Sequence, residues 1–361
     1  MKPLNILLGN NTLSILAGSE TWTYTLALQL KAMGHKVSCF SPELGTISDE
    51  LIKAGIPCYS DLTTSKIKRF SYVLEEEKDM NFDVIISNHN HIVKYLRFQY
   101  PTTPIISTIH GILHFDQEGK TAPEHPALDS GVNQFVAVSE EVQEKLLQDY
   151  GIQSIVIRQP IDTKKLGSIK ETSCVVGMPA STPKQFLINT NYAGKDDPEI
   201  VVIKEVAKHF GAKVAAVGIN FVSQFDLTKA IEESDIVFGM GRSVLEGVAA
   251  GRLGIVQGRW GTGGIICEKN VEEIRKCNFS GRNSNGVYLT KEELIDEINE
   301  WYNPATLEWG KRYMAQNHNI ILAAEEYIRI ARELTGQAYS KPQEGNGVDP
   351  LARKFKLAPN A

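Results

Sequence analysis

A chain of 361 residues with 42% hydrophobic and 22% charged side chains has the composition of a folded globular protein, and its length predicts roughly two domains, each able to bury its own core. The formal net charge is −5 with acids and bases interspersed, which excludes a broad cationic field and with it nucleic acid as the default partner. Cys39, Cys58, Cys174, Cys267 and Cys277 form no C-x-x-C pair, so neither a disulfide framework nor a thiolate metal site is suggested, and a cytoplasmic location is expected. The apolar run from Leu4 to Leu8 is too short for a signal-peptide core, and no apolar stretch approaches the roughly 18 residues of a membrane span.

The first 160 residues alternate short apolar runs with longer amphipathic ones, the pattern of a parallel sheet crossed by helices. Strands are predicted at 5–8, 37–40, 84–87, 105–109, 135–138 and 155–157, with a short one near 56–59. A helix over 21–33 stops at Gly34, and Ser139 caps another whose first turn holds Glu140 and Glu141. The looser stretch 167–184, rich in Ser, Thr and Gly, is the expected linker. A second, smaller parallel-sheet domain follows, with strands at 186–188, 214–217, 236–238 and 254–256 and helices at 199–210, 243–250, 271–277 and 291–301. One long helix is predicted from Pro304 to Leu334, and 336–361 reads as a mobile tail.

Ligands of open parallel sheets bind beyond the carboxyl ends of the strands, so the residues that follow each apolar run carry the functional signal. After the first strand, Ala17-Gly18-Ser19-Glu20 opens a helix where backbone N–H groups and the helix dipole suit an anion; a plain turn before a capped helix explains the segment equally well. Asn88-His89-Asn90-His91 and His110-Gly111 end two further strands and offer convergent polar groups, although each histidine alone reads more often as a structural hydrogen-bonder. His110 and His114 have zinc-ligand spacing but lack the H-E-x-x-H context, so no metal is expected. Lys195 lies after the first strand of the second domain, where it serves as a point charge for a diphosphate or as a solvated surface lysine. The strongest signal is strand 236–238 followed by Gly239-Met240-Gly241-Arg242-Ser243-Val244-Leu245-Glu246, in which glycine turn, helix start, arginine and carboxylate coincide. Glu246 is placed to accept the two hydroxyls of a ribose, or simply stabilises its helix. Residues 258–264, with Gly263, read as a loop able to close over the same ligand or as a flexible connection.

These pieces, taken in order, resemble the family 4 (group 1) glycosyltransferases of the GT-B fold. The similar segments are 16–37 with Gly18, Ser19 and Glu20; 83–89 ending at His89; 104–111 with His110; 135–142 with Ser139; Ile161-Asp162; and 234–252 with Gly241, Arg242 and Glu246. The resemblance implies an α/β protein with two Rossmann-like doubly wound domains facing across a cleft: an acceptor-side domain at 1–166, a nucleotide-sugar domain at 167–303, and a helix at 304–335 that crosses back to the first domain. It implies a retaining, metal-independent transfer of a sugar from a nucleoside-diphosphate sugar to a hydroxyl acceptor, with no cofactor besides the donor substrate. His110 would lie beside the donor sugar as the catalytic residue, with Gly18, Ser19, Lys195, Gly241, Arg242 and Ser243 around the diphosphate. Glu246 would hold the ribose, and Asn88, His89 and Gly263 would contact acceptor or sugar.

Two departures from the family stand out. Phe238 occupies the position eight before Glu246 where the family carries a second glutamate, and Asn189-Thr190-Asn191 replaces the family's arginine before the donor-site lysine, for which Arg242 is the substitute. A sugar-nucleotide epimerase and a non-catalytic sugar-nucleotide-binding subunit are the alternative readings. Lys66-Ile67-Lys68-Arg69-Phe70 and Lys94-Tyr95-Leu96-Arg97-Phe98 are basic-aromatic clusters suited to peripheral contact with an anionic membrane or to a solvated helix face.

Overall fold

Strands built from unbroken Ile, Leu and Val runs must be covered on both faces, and that demand organises the molecule. A computed structural model describes residues 2–60, 81–112, 131–170, 182–190, 193–218, 221 and 227–337. The first lobe runs β1 (Asn5–Gly9), α1 (Gly18–Ala32), β2 (Lys36–Phe40), α2 (Thr46–Lys53), β3 (Cys58–Tyr59), β4 (Val84–Asn88), α3 (Asn90–Gln99), β5 (Ile105–Ile109), β6 (Gln134–Ala137), α4 (Glu140–Tyr150) and β7 (Ser154–Val156). Its sheet is seven-stranded, in the order β3-β2-β1-β4-β5-β6-β7, with every pairing parallel. Side chains alternate between two cores, as the pleat requires. Ile6, Leu8, Val84 and Ile86 face Trp22, Leu26 and Leu30 of α1, while Leu7, Ile85 and Ile105 face Ile92, Val93 and Leu96 of α3.

The second lobe contains α5 (Thr163–Gly167), β8 (Gln185–Asn189), α6 (Pro198–Phe210), β9 (Lys213–Val217), α7 (Thr228–Glu232), β10 (Ile236–Gly239), α8 (Arg242–Ala249), β11 (Leu253–Gly258), β12 (Gly261–Ile265), α9 (Val271–Lys276) and α10 (Lys291–Trp301). Its sheet order is β12-β11-β10-β8-β9. Phe186, Ile188, Ile236 and Phe238 pack on α6 and α10, and Leu187, Val237 and Val256 on α8 and α9. The sheet is not wholly parallel, because β12 returns antiparallel to β11. Residues 258–264 are therefore a hairpin rather than a closing loop, since pairing Ile255 with Ile265 carries Ile265 into the core.

The long helix expected from Pro304 to Leu334 is two helices, α11 (Pro304–Asn317) and α12 (Ile320–Leu334). The break at His318-Asn319 has a physical cause: the chain changes lobes there, and Asn319 caps α12 by accepting from the Ile321 N–H at 2.9 Å. Before the break Met314 of α11 belongs to a core of the second lobe; after it Ile320, Ala324, Tyr327 and Ile328 complete a core of the first. Tyr327 is fully buried, exchanges a hydrogen bond with Thr108 Oγ1 at 2.9 Å and meets Trp22 edge-on. Where the returning chain passes the outgoing one, the Ile161 N–H donates to the His318 carbonyl at 2.8 Å and the Ile320 N–H to the Ile161 carbonyl at 3.0 Å. Among the described residues no helix is long and apolar enough to cross a membrane. Cys174, His114, the cluster at 66–70, most of the stretch 167–184 and the tail from 338 onward lie wholly or partly outside the described residues.

His318 sits at this crossing with its Nδ1–H donated to the Gln159 carbonyl at 2.9 Å, and burial pushes its pKa down from 6.5 to about 4. The neutral ring is favoured by folding while the unfolded chain protonates below about 6.5, so His318 contributes stability above that pH and withdraws it as pH falls toward about 4. The slope from this group approaches about 1.4 kcal/mol per pH unit. Urea unfolding between these pH values should show that His318→Asn flattens the acid limb; an unchanged limb refutes the assignment.

Candidate active site

Each sheet has one place where its connections diverge, and there a crevice opens beyond the carboxyl ends of the strands. In the first lobe it lies between β1 and β4, because β1 leads outward to β2 and β4 leads the opposite way to β5. Glycine suits the end of β1: a Cβ on Gly9 would come within 2.6 Å of the side-chain ends of Leu96 and Ser87, which would have to shift. Asn10, buried just beyond, donates to Thr23 Oγ1 at 3.1 Å and so fixes α1 over the crevice. Helix α1 opens at Gly18 and Ser19, and its N-cap, Ala17, offers no side-chain cap. The first-turn N–H groups thus face a ready anion position.

The polar groups expected at β4 and β5 converge here. His110 Nε2 meets Asn88 Oδ1 at 3.1 Å and its ring stands edge-on to Trp22 at 5.2 Å between centroids. His89 occupies a left-handed conformation, φ 63°, at the N-cap of α3, an uncommon and costly state for a side-chain-bearing residue. His91 Nε2 contacts Asn11 Oδ1 at 2.7 Å across the same opening.

In the second lobe the connections diverge between β8 and β10. Gly241 caps α8 with φ 52°, a conformation glycine adopts without penalty, and its N–H donates to the Phe279 carbonyl at 2.7 Å. Asn278 and Phe279 are themselves left-handed, φ 54° and 52°, so the support beneath this turn holds strain. Asn189 Nδ2 reaches the Ser243 carbonyl at 3.3 Å and joins the end of β8 to the first turn of α8. Arg242 then uses every nitrogen of its guanidinium. Nε donates to Glu246 Oε1 at 2.7 Å, one terminal nitrogen to the Pro160 carbonyl at 3.0 Å, and the other to Thr25 Oγ1 on α1 at 2.7 Å. Glu246 is 16% exposed, and its Oε2 accepts no hydrogen bond from the described residues.

The two rims therefore face each other, and Arg242 spans them. A second set of contacts lies farther along: Arg282 donates to Glu141 at the start of α4, and Arg158 and Arg275 approach Glu140 at 2.5 and 3.4 Å. Gly18, Ser19, His89 and His110 lie on one side, with Asn88 fully buried against His110, and Gly241, Arg242, Ser243 and Glu246 lie on the other. Lys195 is exposed in the segment after β8. Gly263 stands apart from the expected closing loop: it is buried in β12, where a Cβ would come within 2.9 Å of Asn283 and Val256. In the cluster at 94–98, Arg97 points inward to the carbonyls of Pro101, Thr103 and Gly131, whereas Phe98 is 82% exposed. Sequence reasoning did not single out Thr25 or the buried Glu20 as site residues; a polar residue on the sheet-facing side of an otherwise apolar helix was the available signal for Glu20.

Residues 16–165 match the sequence profile of Glycosyltransferase Family 4. Among curated protein sequences none matches significantly. A glycosyltransferase from Rickettsia africae ESF-5 superposes with a TM-score of 0.58 at 17% identity, over 93% of this chain and 100% of that one. Anabaena Alr3699/HepE in complex with UDP gives 0.60 at 14% identity, over 91% and 100%. The sucrose-phosphate synthase (tll1590) of Thermosynechococcus elongatus gives 0.54 at 11% identity, over 92% and 99%. At these identities the similarity to the solved structures establishes the fold.

Arg242→Lys keeps the charge but cannot bridge three acceptors. It should lower the free energy of unfolding by about 1–3 kcal/mol, as expected for lost charge-assisted hydrogen bonds, and increase proteolytic cleavage near 157–162. Urea titration and limited proteolysis measure both.

Proposed function

We propose that this chain, whose residues 16–165 match the Glycosyltransferase Family 4 profile and whose fold is GT-B, is a retaining glycosyltransferase that moves a sugar from a nucleoside-diphosphate sugar to a hydroxyl acceptor without a divalent metal. The observation that carries the reading is a helix N-terminus without a side-chain cap on each rim, α1 and α8, with Arg242 at the start of α8 donating to Thr25 of α1. Such termini stabilise a departing diphosphate through N–H groups and the helix dipole.

In this reading Gly18 and Ser19 bind the diphosphate from the first lobe and the Ser243 hydroxyl from the second, while Gly241, its N–H held by the Phe279 carbonyl, shapes the turn. Lys195 adds a point charge. Glu246 accepts the ribose hydroxyls through Oε2 while Arg242 holds Oε1. Arg242 positions Glu246 and docks the lobes through one N–H on each guanidinium nitrogen, which leaves its two remaining N–H groups for phosphate. His110, fixed by Asn88 and Trp22, contacts the donor sugar, and Asn88 and His89 lie toward the acceptor. The acceptor oxygen attacks the anomeric carbon on the face from which the diphosphate leaves. The bond from that carbon to phosphate oxygen breaks as the new glycosidic bond forms, and the acceptor proton passes to the departing phosphate. UDP-sugars are the first donors to test, because the structurally similar HepE holds UDP-glucose. Phe98 and Lys94 offer a surface for peripheral membrane contact with a lipid-linked acceptor.

Phe238 favours one second reading, a non-catalytic subunit that binds sugar nucleotides: its ring is 1% exposed within β10, so no carboxylate stands where the family places its sugar-contacting acid. Binding without turnover across UDP-, GDP- and ADP-sugars would support that subunit role.

The cognate nucleotide at a hundred times its dissociation constant should stabilise the protein by about 2.7 kcal/mol. Glu246→Ala should weaken nucleotide binding about ten-fold or more, whereas His110→Ala should lower kcat with donor affinity nearly intact. Thermal-shift titration, calorimetry and donor-hydrolysis kinetics test these outcomes, and parallel losses in both variants contradict the division of roles.

A further inference from the structure

Glu20 is the third residue of α1, yet it is only 4% exposed, and its Oε2 is buried with no hydrogen-bond partner. A buried acceptor left unpaired is costly, and a carboxylate more so, which is why such groups are normally paired with a cation or removed. No lysine or arginine among the described residues forms an ion pair with Glu20. Desolvation raises its pKa against the lowering effects of its own backbone N–H, the Ser19 hydroxyl and the charge of His89.

Its place in the fold gives the carboxylate a direction. Thr23, one turn farther along α1, contacts Asn10 at 3.1 Å and Asn88 at 3.5 Å, so this face of the helix lies over the ends of β1 and β4. Glu20 therefore stands at the mouth of the first-lobe crevice, near enough to His89 for their charges to interact, with His91 and Asn11 across the opening. The backbone strain at His89 marks the same spot. A carboxylate there repels phosphate, so it does not serve the diphosphate at Gly18 and Ser19. It suits an O–H donor.

We propose that Glu20, with His89, Asn11 and His91 around it, forms an acceptor subsite for an uncharged polyhydroxyl compound, whose hydroxyl donates to the open Glu20 oxygen. The proposal rests on the glycosyl-transfer reading above and adds the chemical class of the acceptor. Uncharged saccharides are favoured, and acceptors carrying phosphate next to the recognised hydroxyl are rejected.

The experiment uses the full chain with UDP-glucose or whichever donor nucleotide stabilises it, and methyl glycosides against their 6-phosphates as acceptors. Glu20→Gln preserves shape while removing the charge. It should lower kcat/KM for methyl glycosides about ten-fold or more, while acceptor-independent donor hydrolysis and UDP affinity stay within about two-fold. Its thermal midpoint should hold or rise, because a desolvated charge has been removed. Glu20→Asp, which keeps the charge, should recover part of the loss. Unchanged acceptor kinetics in Glu20→Gln, a parallel fall in nucleotide affinity, a lowered thermal midpoint, or a wild-type preference for the 6-phosphates overturns the subsite. A wild-type protein that neither binds nor turns over any sugar nucleotide instead overturns the transferase reading, and the subsite with it.

Discussion

Two backbone hydrogen bonds at the crossing of the lobes, between Ile161 and the His318-Ile320 segment, set the relation on which the rest of the molecule depends. Each sheet builds its own crevice from local rules, but a site that draws on both requires the lobes to be held together. The paired crossovers orient the carboxyl ends of both sheets toward each other. Arg242, Arg275 and Arg282 then meet their partners across the divide. The polar crossing is enclosed by apolar packing on either side, with Ile161 and Met314 in one core and Ile320 in another. Few groups there are free to rearrange without breaking several bonds together, which suits a joint that must return to one geometry.

The two rims divide the chemistry by charge. Around α8 lie a glycine turn, a helix N-terminus without a side-chain cap and Arg242, which holds Oε1 of Glu246. Around the mouth of β4 lie the buried carboxylate of Glu20 and three histidines, His89, His91 and His110. The strained conformations sit at these same places, His89 on one side and Asn278-Phe279 on the other. Strain of this kind persists only where the surroundings over-determine it.

Much of this was legible in the sequence because the informative signals were local. The apolar runs located the strands to within a residue or two, Ser139 announced α4, and the ordered segments from Gly18 to Glu246 pointed to the fold. What escaped notice depended on distance along the chain or on weak local preference. Thr25 and Arg242 are 217 residues apart, and nothing in either segment announces the other. Strand β12 reads Gly-Thr-Gly-Gly-Ile, a composition that disfavours strands and forms one here only because β11 offers a partner and the core accepts Ile265. The break at His318 was invisible because apolar residues at helical spacing continue on both sides of it. Helix α3 begins at a strained histidine with no capping side chain, so it lacked the usual start signal.

The placement of α12 has a consequence for biosynthesis. The residues of α12 that seal one apolar face of the first lobe follow the whole second lobe in the chain and leave the ribosome after it. During translation, the early half must wait with Trp22 and its neighbours incompletely covered, a state prone to self-association or chaperone capture. A truncated gene product ending before Ile320 would carry both sheets and still lack the lid of its first core, so quality control of this chain is tied to α12.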